Sequence, residues 1–463
     1  MNDIDRVLRR IDENLDGSTA RLFEILRIES VSTDPAYKGE CRRAADWLAA
    51  SLSGIGFDAG VRPTTGHPMV VAHHPASEGA KDAPHVLFYG HYDVQPPDPL
   101  DLWETPPFDP RIAEIDGHKA IVARGASDDK GQLLTFIEAA RAWKEETGGL
   151  PVRVTILLEG EEETSSPSLA PFIAANADEL KADVALVCDT AMWDRSTPAV
   201  TTMLRGGVKE ELTVRAADRD LHSGQYGGAA MNPIRVLSHI IAALHDDDGR
   251  IAIPGFYDGV PDLSPDIADQ WRALGVSTED FLGPIGLGEL AGEKGRNVLE
   301  QVWARPTCDV NGIWGGYSGQ GFKTVIPAEA HAKISFRLVG DQDPAKVRDA
   351  FRKFVRDRLP ADCSVEFKTH GVNPALRLDS EDPRLLRTLD ALEAEWGRKP
   401  VVIGSGGSIP IVGVFQSDLG MNSLMVGFAL DDDRIHSPNE KYDLSSFRGG
   451  IRSWARIMEA LAT

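Results

Sequence analysis

The sequence predicts an α/β protein: a mixed, mainly parallel sheet flanked by helices, interrupted by an inserted α+β domain built on an antiparallel sheet. Three observations predict it. Short continuous apolar runs at Val86–Tyr89, Val152–Leu158 and Val184–Val187 alternate with stretches of helical period, as strands buried on both faces do. From about Gly207 these runs give way to apolar/polar alternation, the mark of strands with one solvated face. Near the carboxyl end the first pattern resumes, which divides the chain into a domain of residues 1–206 and 376–463 and an insertion of residues 207–375.

Taken in order, Ile4, Val7, Leu8, Ile11 and Leu15 recur at helical spacing, and Leu22, Ile25 and Leu26 begin a second such stretch. Ala44–Leu52 is a third, closed by Ser53-Gly54 as a carboxyl cap. The strand Val86–Tyr89 leads into Gly90-His91-Tyr92-Asp93-Val94-Gln95-Pro96, and an irregular proline-rich loop runs to Pro110. After Ala120–Ala123 comes the turn Arg124-Gly125-Ala126-Ser127-Asp128-Asp129-Lys130-Gly131, then a helix over Gln132–Trp143. Val152–Leu158 ends in Glu159-Gly160-Glu161-Glu162-Glu163, and Val184–Val187 ends in Cys188-Asp189. In the insertion, Glu210–Ala216, His331–Leu338 and Ser364–His370 alternate as strands, while Asn232–Leu244 and Val347–Leu359 are helical. Ile253–Gln320, rich in Gly and Pro, carries no periodicity. An apolar strand over Leu424–Leu430 and a helix over Leu444–Leu461 return to the first domain.

At 463 residues the chain exceeds one ordinary core. Its net charge of −22, from 49 basic and 71 acidic residues, repels a phosphate backbone and argues against nucleic acid as a partner. No apolar run approaches the roughly 20 residues of a membrane helix. The first residues carry Asp3, Asp5, Arg6, Arg9 and Arg10 instead of a secretory apolar segment, so a cytoplasmic protein is expected. Cys41, Cys188, Cys308 and Cys363 are scattered without metal or disulfide spacing and read as reduced thiols.

The chemistry lies at the strand ends. In open α/β sheets polar groups at the carboxyl ends of strands meet along one edge, here His91, Asp128, Glu162, Glu163, Asp189 and, past the last apolar run, His436. Singly each has an ordinary reading: the Glu161–Glu163 run as a solvated face, Asp128-Asp129 as a helix cap, Asp189 as a strand end, His436 as a loop histidine. Together, four carboxylates raise one another's pKa and resist joint ionisation, which two divalent cations would relieve. Imidazole and carboxylate donors without thiolate suit zinc, with manganese or cobalt as alternatives.

Several motifs occur in order: Gly-His-Tyr-Asp-Val-Gln-Pro, Arg-Gly-Ala-Ser-Asp-Asp-Lys-Gly, Glu-Gly-x-Glu-Glu, an Asp after an apolar strand, Leu-His-Ser-Gly-x-Tyr-Gly-Gly, Gly-Gly-Ser-Ile-Pro and His-Ser-x-Asn-Glu. From about residue 20 onward the chain resembles the M20 family of co-catalytic metallopeptidases, on the branch of cytosolic non-specific dipeptidases and carnosinases. The resemblance implies a zinc-peptidase-like fold whose inserted domain serves as lid and dimerisation domain. It implies two metals, one held by His91 and Asp189 and the other by Glu163 and His436, with Asp128 bridging both. Glu162 would be the general base for attack of a bridging hydroxide on a dipeptide's peptide bond, and Asp93 would orient the His91 ring. The motif register assigns Glu162 and Glu163 and leaves Glu161, where the family has an apolar residue, either to perturb the base or to face water. The peptide Asp128-Asp129 is expected to be cis. His222 would reach the active site of a second subunit in a homodimer to stabilise the oxyanion, and Arg337, Thr324 and Ser408 would bind substrate, Arg337 through its carboxylate.

The same metal residues serve an amidohydrolase acting on N-acyl or N-succinyl amino acids. A third reading, a non-catalytic binding protein on this fold, would show lost ligands or a lost base, and none is missing. The segments around Arg337, Thr324 and Ser408 favour the small-molecule dipeptide.

Overall fold

The computed structural model of the protein describes residues 2–80, 82–406 and 409–462. The chain divides into two compact units, Met1–Thr202 with Leu378–Ile403 and Pro410–Thr463, and Met203–Arg377 with Gly404–Ile409.

The first unit is built on a mixed sheet whose strands run in the order Asp58–Arg62, Met69–His74, Arg153–Glu159, His85–His91, Val184–Val187, Ser423–Met425, Ala199–Leu204. Its centre is parallel: His85–His91 pairs in parallel with both Arg153–Glu159 and Val184–Val187, and Ser423–Met425 in parallel with Val184–Val187. The flanking pairs are antiparallel. Every residue of His85–His91 is buried, which is why its sequence is a continuous apolar run. Phe88 stacks on Phe136 of helix Lys130–Thr147 at 4.0 Å, and Trp454 of helix Leu444–Leu461 meets both edge-on at 5.7 and 5.6 Å. A small antiparallel sheet of Arg111–Ile115, His118–Val122 and Lys441–Asp443 brings the loop after residue 430 beside the turn Arg124–Asp129.

Two expectations for this unit are corrected. Leu22, Ile25 and Leu26 close the helix Leu15–Leu26 instead of beginning a helix. Of the run Leu424–Leu430 only Leu424 and Met425 lie in a strand, Ser423–Met425. Past it the backbone is held by other groups: a Cβ at Gly427 would stand 1.9 Å from the Thr190 carbonyl oxygen, Phe428 N donates to Gln132 Oε1, and Leu430 N donates to Asp433 Oδ2. The residues are apolar because they are buried, and past Met425 their pairing shrinks to an isolated bridge of Ala429 with Ala191.

The second unit carries an antiparallel sheet in the order Thr307–Gly315, Glu329–Leu338, Gly206–Arg215, Ser364–Asn373. From Val208 onward alternation is strict: Val208, Leu212 and Val214 are buried in a cluster with Ile334, Phe336 and Phe351, while Lys209, Arg215 and Lys333 are exposed. Helices Pro233–Ala242 and Pro344–Arg356 add their buried faces to that cluster. The edge strand Thr307–Gly315 falls in the stretch that showed no periodicity, and its burial pattern explains why, since most of it is exposed.

Candidate metal centre

Parallel register puts the ends of the central strands level. His91 lies opposite Glu159, so the segment Gly160–Glu163 starts beside it, and Tyr89 lies opposite Val187, so Asp189 arrives two residues on. Asp128 comes from the turn before helix Lys130–Thr147, and His436 from the loop before Lys441–Asp443. The outcome is two groups of potential ligands sharing one member, His91 with Asp128 and Asp189, and Asp128 with Glu163 and His436, each with its ligand atoms within 4.8 Å of one another. His91 Nε2 lies 3.0 Å from Asp128 Oδ1 and 3.9 Å from Asp189 Oδ2. His436 Nε2 is 2.9 Å from the other Asp128 oxygen and 3.3 Å from Glu163 Oε2.

Electrostatics set the demand of this site. Burial alone would raise the Asp128 carboxyl, but His436 and His91 outweigh it and hold it well below the usual range. Asp189 is pushed up to about 7 by desolvation and by the facing Asp128 charge. His436 is pushed up to about 10 by Asp128 and Glu163. Burial opposes charging of His91, yet Asp128 and Asp93 carry its ring well above its ordinary value. The carboxylates are in excess and hold both imidazoles toward their charged form.

Two buried atoms fit a cation better than any protein partner. His91 Nε2 approaches Asp128 closely enough for an ion pair but off the hydrogen-bond direction, and Glu163 Oε1 also has no hydrogen-bond partner among the described residues. Groups so buried are normally satisfied. All five potential ligands offer imidazole nitrogen or carboxylate oxygen. The nearby Cys188 thiol is turned to Asp129 Oδ2 at 3.3 Å. The donor set fits divalent zinc, manganese or cobalt.

Asp93 faces this centre from inside. His91 Nδ1 lies 3.2 Å from the Asp93 carbonyl oxygen and 3.4 Å from its carboxylate, and that carboxylate also accepts the backbone N–H groups of Glu162 and Glu163 at 3.2 and 3.1 Å. The half-buried Glu162 carboxyl is raised by burial; His91 lowers it, while Glu163, Asp128 and Asp93 raise it. Glu161 does not face water. It is buried, and its oxygens accept from His67 N at 2.9 Å and Ser168 N at 3.1 Å, tying two loops together. The Asp128-Asp129 peptide is cis. Asp129 stands at the cap position of its helix without a side-chain capping bond and instead accepts from His91 N at 3.1 Å.

His436 adopts a left-handed backbone (φ 61°), as do Arg434 and Asn439, a conformation that costs a non-glycine residue of the order of 1 kcal/mol or more. Asn439 holds the loop, accepting from Glu104 N and donating to Leu102 O. Gln95 was not singled out in the sequence, although it lies in the Gly90–Pro96 segment; its Nε2 donates to Glu163 Oε2 at 2.6 Å.

In the second unit His222 and Thr324 are brought together, because Leu221–His222 pairs with Val325–Ile326 and Ser223 N donates to the Thr324 carbonyl at 3.1 Å. His222 is exposed and its Nδ1 accepts from Gly224 N. Arg337 lines a cavity of about 380 Å³ together with Arg205, a residue sequence reasoning missed. Burial and the Arg337 charge both depress the Arg205 guanidinium. Ser408 lies outside the described residues.

Against known proteins, residues 87–460 match the model of peptidase family M20/M25/M40. The chain belongs to this family. The M20 chain is 30% identical to the Cys-Gly metallodipeptidase dug1 of Schizosaccharomyces pombe, over 99% of its own length and 98% of that protein's. It is 28% identical to the human Beta-Ala-His dipeptidase over 99% and 93% of the two chains. The solved structure of the di-peptidase Dug1p from Saccharomyces cerevisiae matches it with a TM-score of 0.73 at 28% identity, covering 100% of this chain and 99% of that one. No described helix of this M20 hydrolase is long and apolar enough to cross a membrane.

Proposed function

We propose that this M20 enzyme hydrolyses the peptide bond of dipeptides at the His91–Asp128–Asp189 and Asp128–Glu163–His436 centre. The observation that carries the reading is the shared carboxylate: Asp128 offers one oxygen to each histidine, the arrangement two neighbouring metals require. Relatives along the whole chain that are named as dipeptidases support the substrate class.

His91 and Asp189 would hold one divalent metal, Glu163 and His436 the other, and Asp128 both, with zinc first and manganese or cobalt as alternatives. Bound there, the metals would supply Lewis acidity that polarises the scissile carbonyl and lowers the pKa of water from about 15.7 towards about 7. Glu162 does the proton work: its raised, still ionisable carboxylate takes a proton from the attacking water and returns it to the departing amine nitrogen. Asp93 positions that base and the neighbouring ligand through their backbone N–H groups, and keeps the His91 ring oriented through Nδ1. Arg337 would pair with the substrate carboxylate, with Thr324 and Ser408 beside the ligand.

The second unit would act as lid and dimerisation domain, with His222 serving the oxyanion of a second copy. An exposed edge strand bearing Val310, Ile313 and Trp314 supports association of copies through this unit. The free thiols of Cys41, Cys188, Cys308 and Cys363 suit a cytoplasmic setting.

Metal-stripped protein reconstituted with zinc, manganese or cobalt should cleave members of a dipeptide panel and lose that activity to chelator. Turnover of N-acyl amino acids with no dipeptide cleaved would replace the reading. Glu162→Gln should lower kcat by about 10² to 10⁴ with metal content unchanged, measured by steady-state kinetics beside elemental analysis.

A further inference from the structure

Glu440 closes the motif that begins at His436, and its side chain is wholly buried. One oxygen accepts from Arg124 Nη1 at 2.8 Å and Gly125 N at 2.9 Å; the other accepts from Ser127 N at 2.9 Å and Asp128 N at 3.0 Å. Its backbone carbonyl takes a fifth donor, Ala123 N at 3.1 Å. Amides of the turn that ends on Asp128 thus converge on one carboxylate, which belongs to the loop that carries His436. The neighbouring Asp433 ties the same two segments a second time, accepting from Ser127 Oγ at 2.7 Å and Leu430 N at 2.8 Å while Lys441 Nζ stands 2.7 Å away.

This arrangement exceeds what an ion pair needs. Arg124 is long and could meet a carboxylate from many backbone geometries, whereas three amides of one turn can share a carboxylate in only one. The turn and the loop are over 300 residues apart in the chain, and the ladder that joins them, with Val122 opposite Lys441, stops short of both ligands and does not by itself fix their spacing. Yet that spacing decides whether Asp128 Oδ2 and His436 Nε2 stand 2.9 Å apart.

We propose that Glu440 is the positioning residue of the metal centre: it gathers the Arg124–Asp128 turn through its backbone amides and thereby sets the distance between the shared ligand Asp128 and the ligand His436. The inference rests on the metal reading given above. A glutamine at this position keeps the volume but turns one acceptor oxygen into an NH₂ donor, which faces backbone N–H groups it cannot satisfy. An aspartate keeps both acceptors and the charge but falls one methylene short of the turn.

The test uses the full chain, stripped of metal and titrated with Zn²⁺ against a chelating indicator and with Co²⁺ followed by visible absorption. Wild type should take up two equivalents. Glu440→Gln should bind about tenfold to a hundredfold more weakly, as loss of a group that orients ligands does, and its Co²⁺ bands should shift. Glu440→Asp should fall between the two, and it carries the test if the glutamine variant does not fold. Arg124→Met, which leaves the three amide bonds in place, should bind close to wild type. Wild-type affinity and an unchanged Co²⁺ spectrum in Glu440→Gln, or in Glu440→Asp where that variant carries the test, would overturn the inference, as would an Arg124→Met variant that loses as much as Glu440→Gln. A wild-type protein that takes up no metal would overturn the metal reading itself.

Discussion

Strand His85–His91 begins and ends on a buried histidine, and the two rings meet opposite surroundings. At the first end His85 Nε2 shares a 2.7 Å hydrogen bond with Thr155 Oγ1, and burial together with the nearby Arg153 charge pushes the ring down to about 4. At the other end the His91 ring, more fully enclosed, faces Asp93, Asp128 and Asp189 and is carried well above its ordinary value. Burial by itself keeps an imidazole neutral and structural. What makes a ligand of His91 is the acids gathered at its end: Asp189 after the parallel neighbour, Asp128 from the turn before helix Lys130–Thr147, and Asp93 just past its own strand.

The sharpest way to break this contrast is to remove the ring at the acidic end. His91→Ala should abolish dipeptide turnover and lower the metal content, because one of the two ligand groups loses its only imidazole. In the metal-free protein it also strips the buried Asp93 and Asp128 of a charged neighbour, a change expected to cost about 3 to 5 kcal/mol in a denaturant titration. A variant that keeps both metal equivalents would show that His91 is structural after all, and so no different in kind from His85.

A smaller effect tests whether the centre depends on groups behind its ligands. Gln95 Nε2 holds Glu163 Oε2, the oxygen that also faces His436. Gln95→Ala should weaken metal binding by about 10-fold to 100-fold while leaving the fold's thermal stability near wild type. Equal metal affinity in the two proteins would mean that the ligand needs no such support.

The ends of the central strands were legible because local information suffices there. An apolar run announces a buried strand, and the first polar residues after it must stand at the sheet's edge, which places His91, Glu162, Glu163 and Asp189. The ladder partners fix the rest. Glu161 was misjudged because its partners, His67 N and Ser168 N, are backbone groups that no side-chain pattern advertises. Glu440 was passed over for the same reason, its acceptors being spent on amides of a turn far away in the chain. The run Leu424–Leu430 misled because apolar character reports burial, and burial with only an isolated bridge at Ala429 looks the same in sequence as a continuous strand. The edge strand Thr307–Gly315 failed the opposite way: it has a ladder on one side and little burial, so no period is imposed on it.

The smallest effect belongs to His85, and its sign separates the two histidines. The folded ring titrates near 4, below its ordinary 6.5, so the unfolded chain takes up the proton first as pH falls. Stability linked to this ring is therefore complete above 6.5 and is lost as pH drops through about 4. His85→Gln removes the titration while leaving an amide that can still meet Thr155, and the backbone N–H of residue 85 keeps its bond to Asp183. At pH 7 the variant should differ from wild type by about 1 kcal/mol or less and turn over substrate normally. Between pH 6.5 and 4, urea titrations should show a shallower loss of stability in the variant than in wild type. Parallel curves would mean that the His85 ring titrates alike in the folded and the unfolded chain, and the contrast across the strand would then lie in geometry alone.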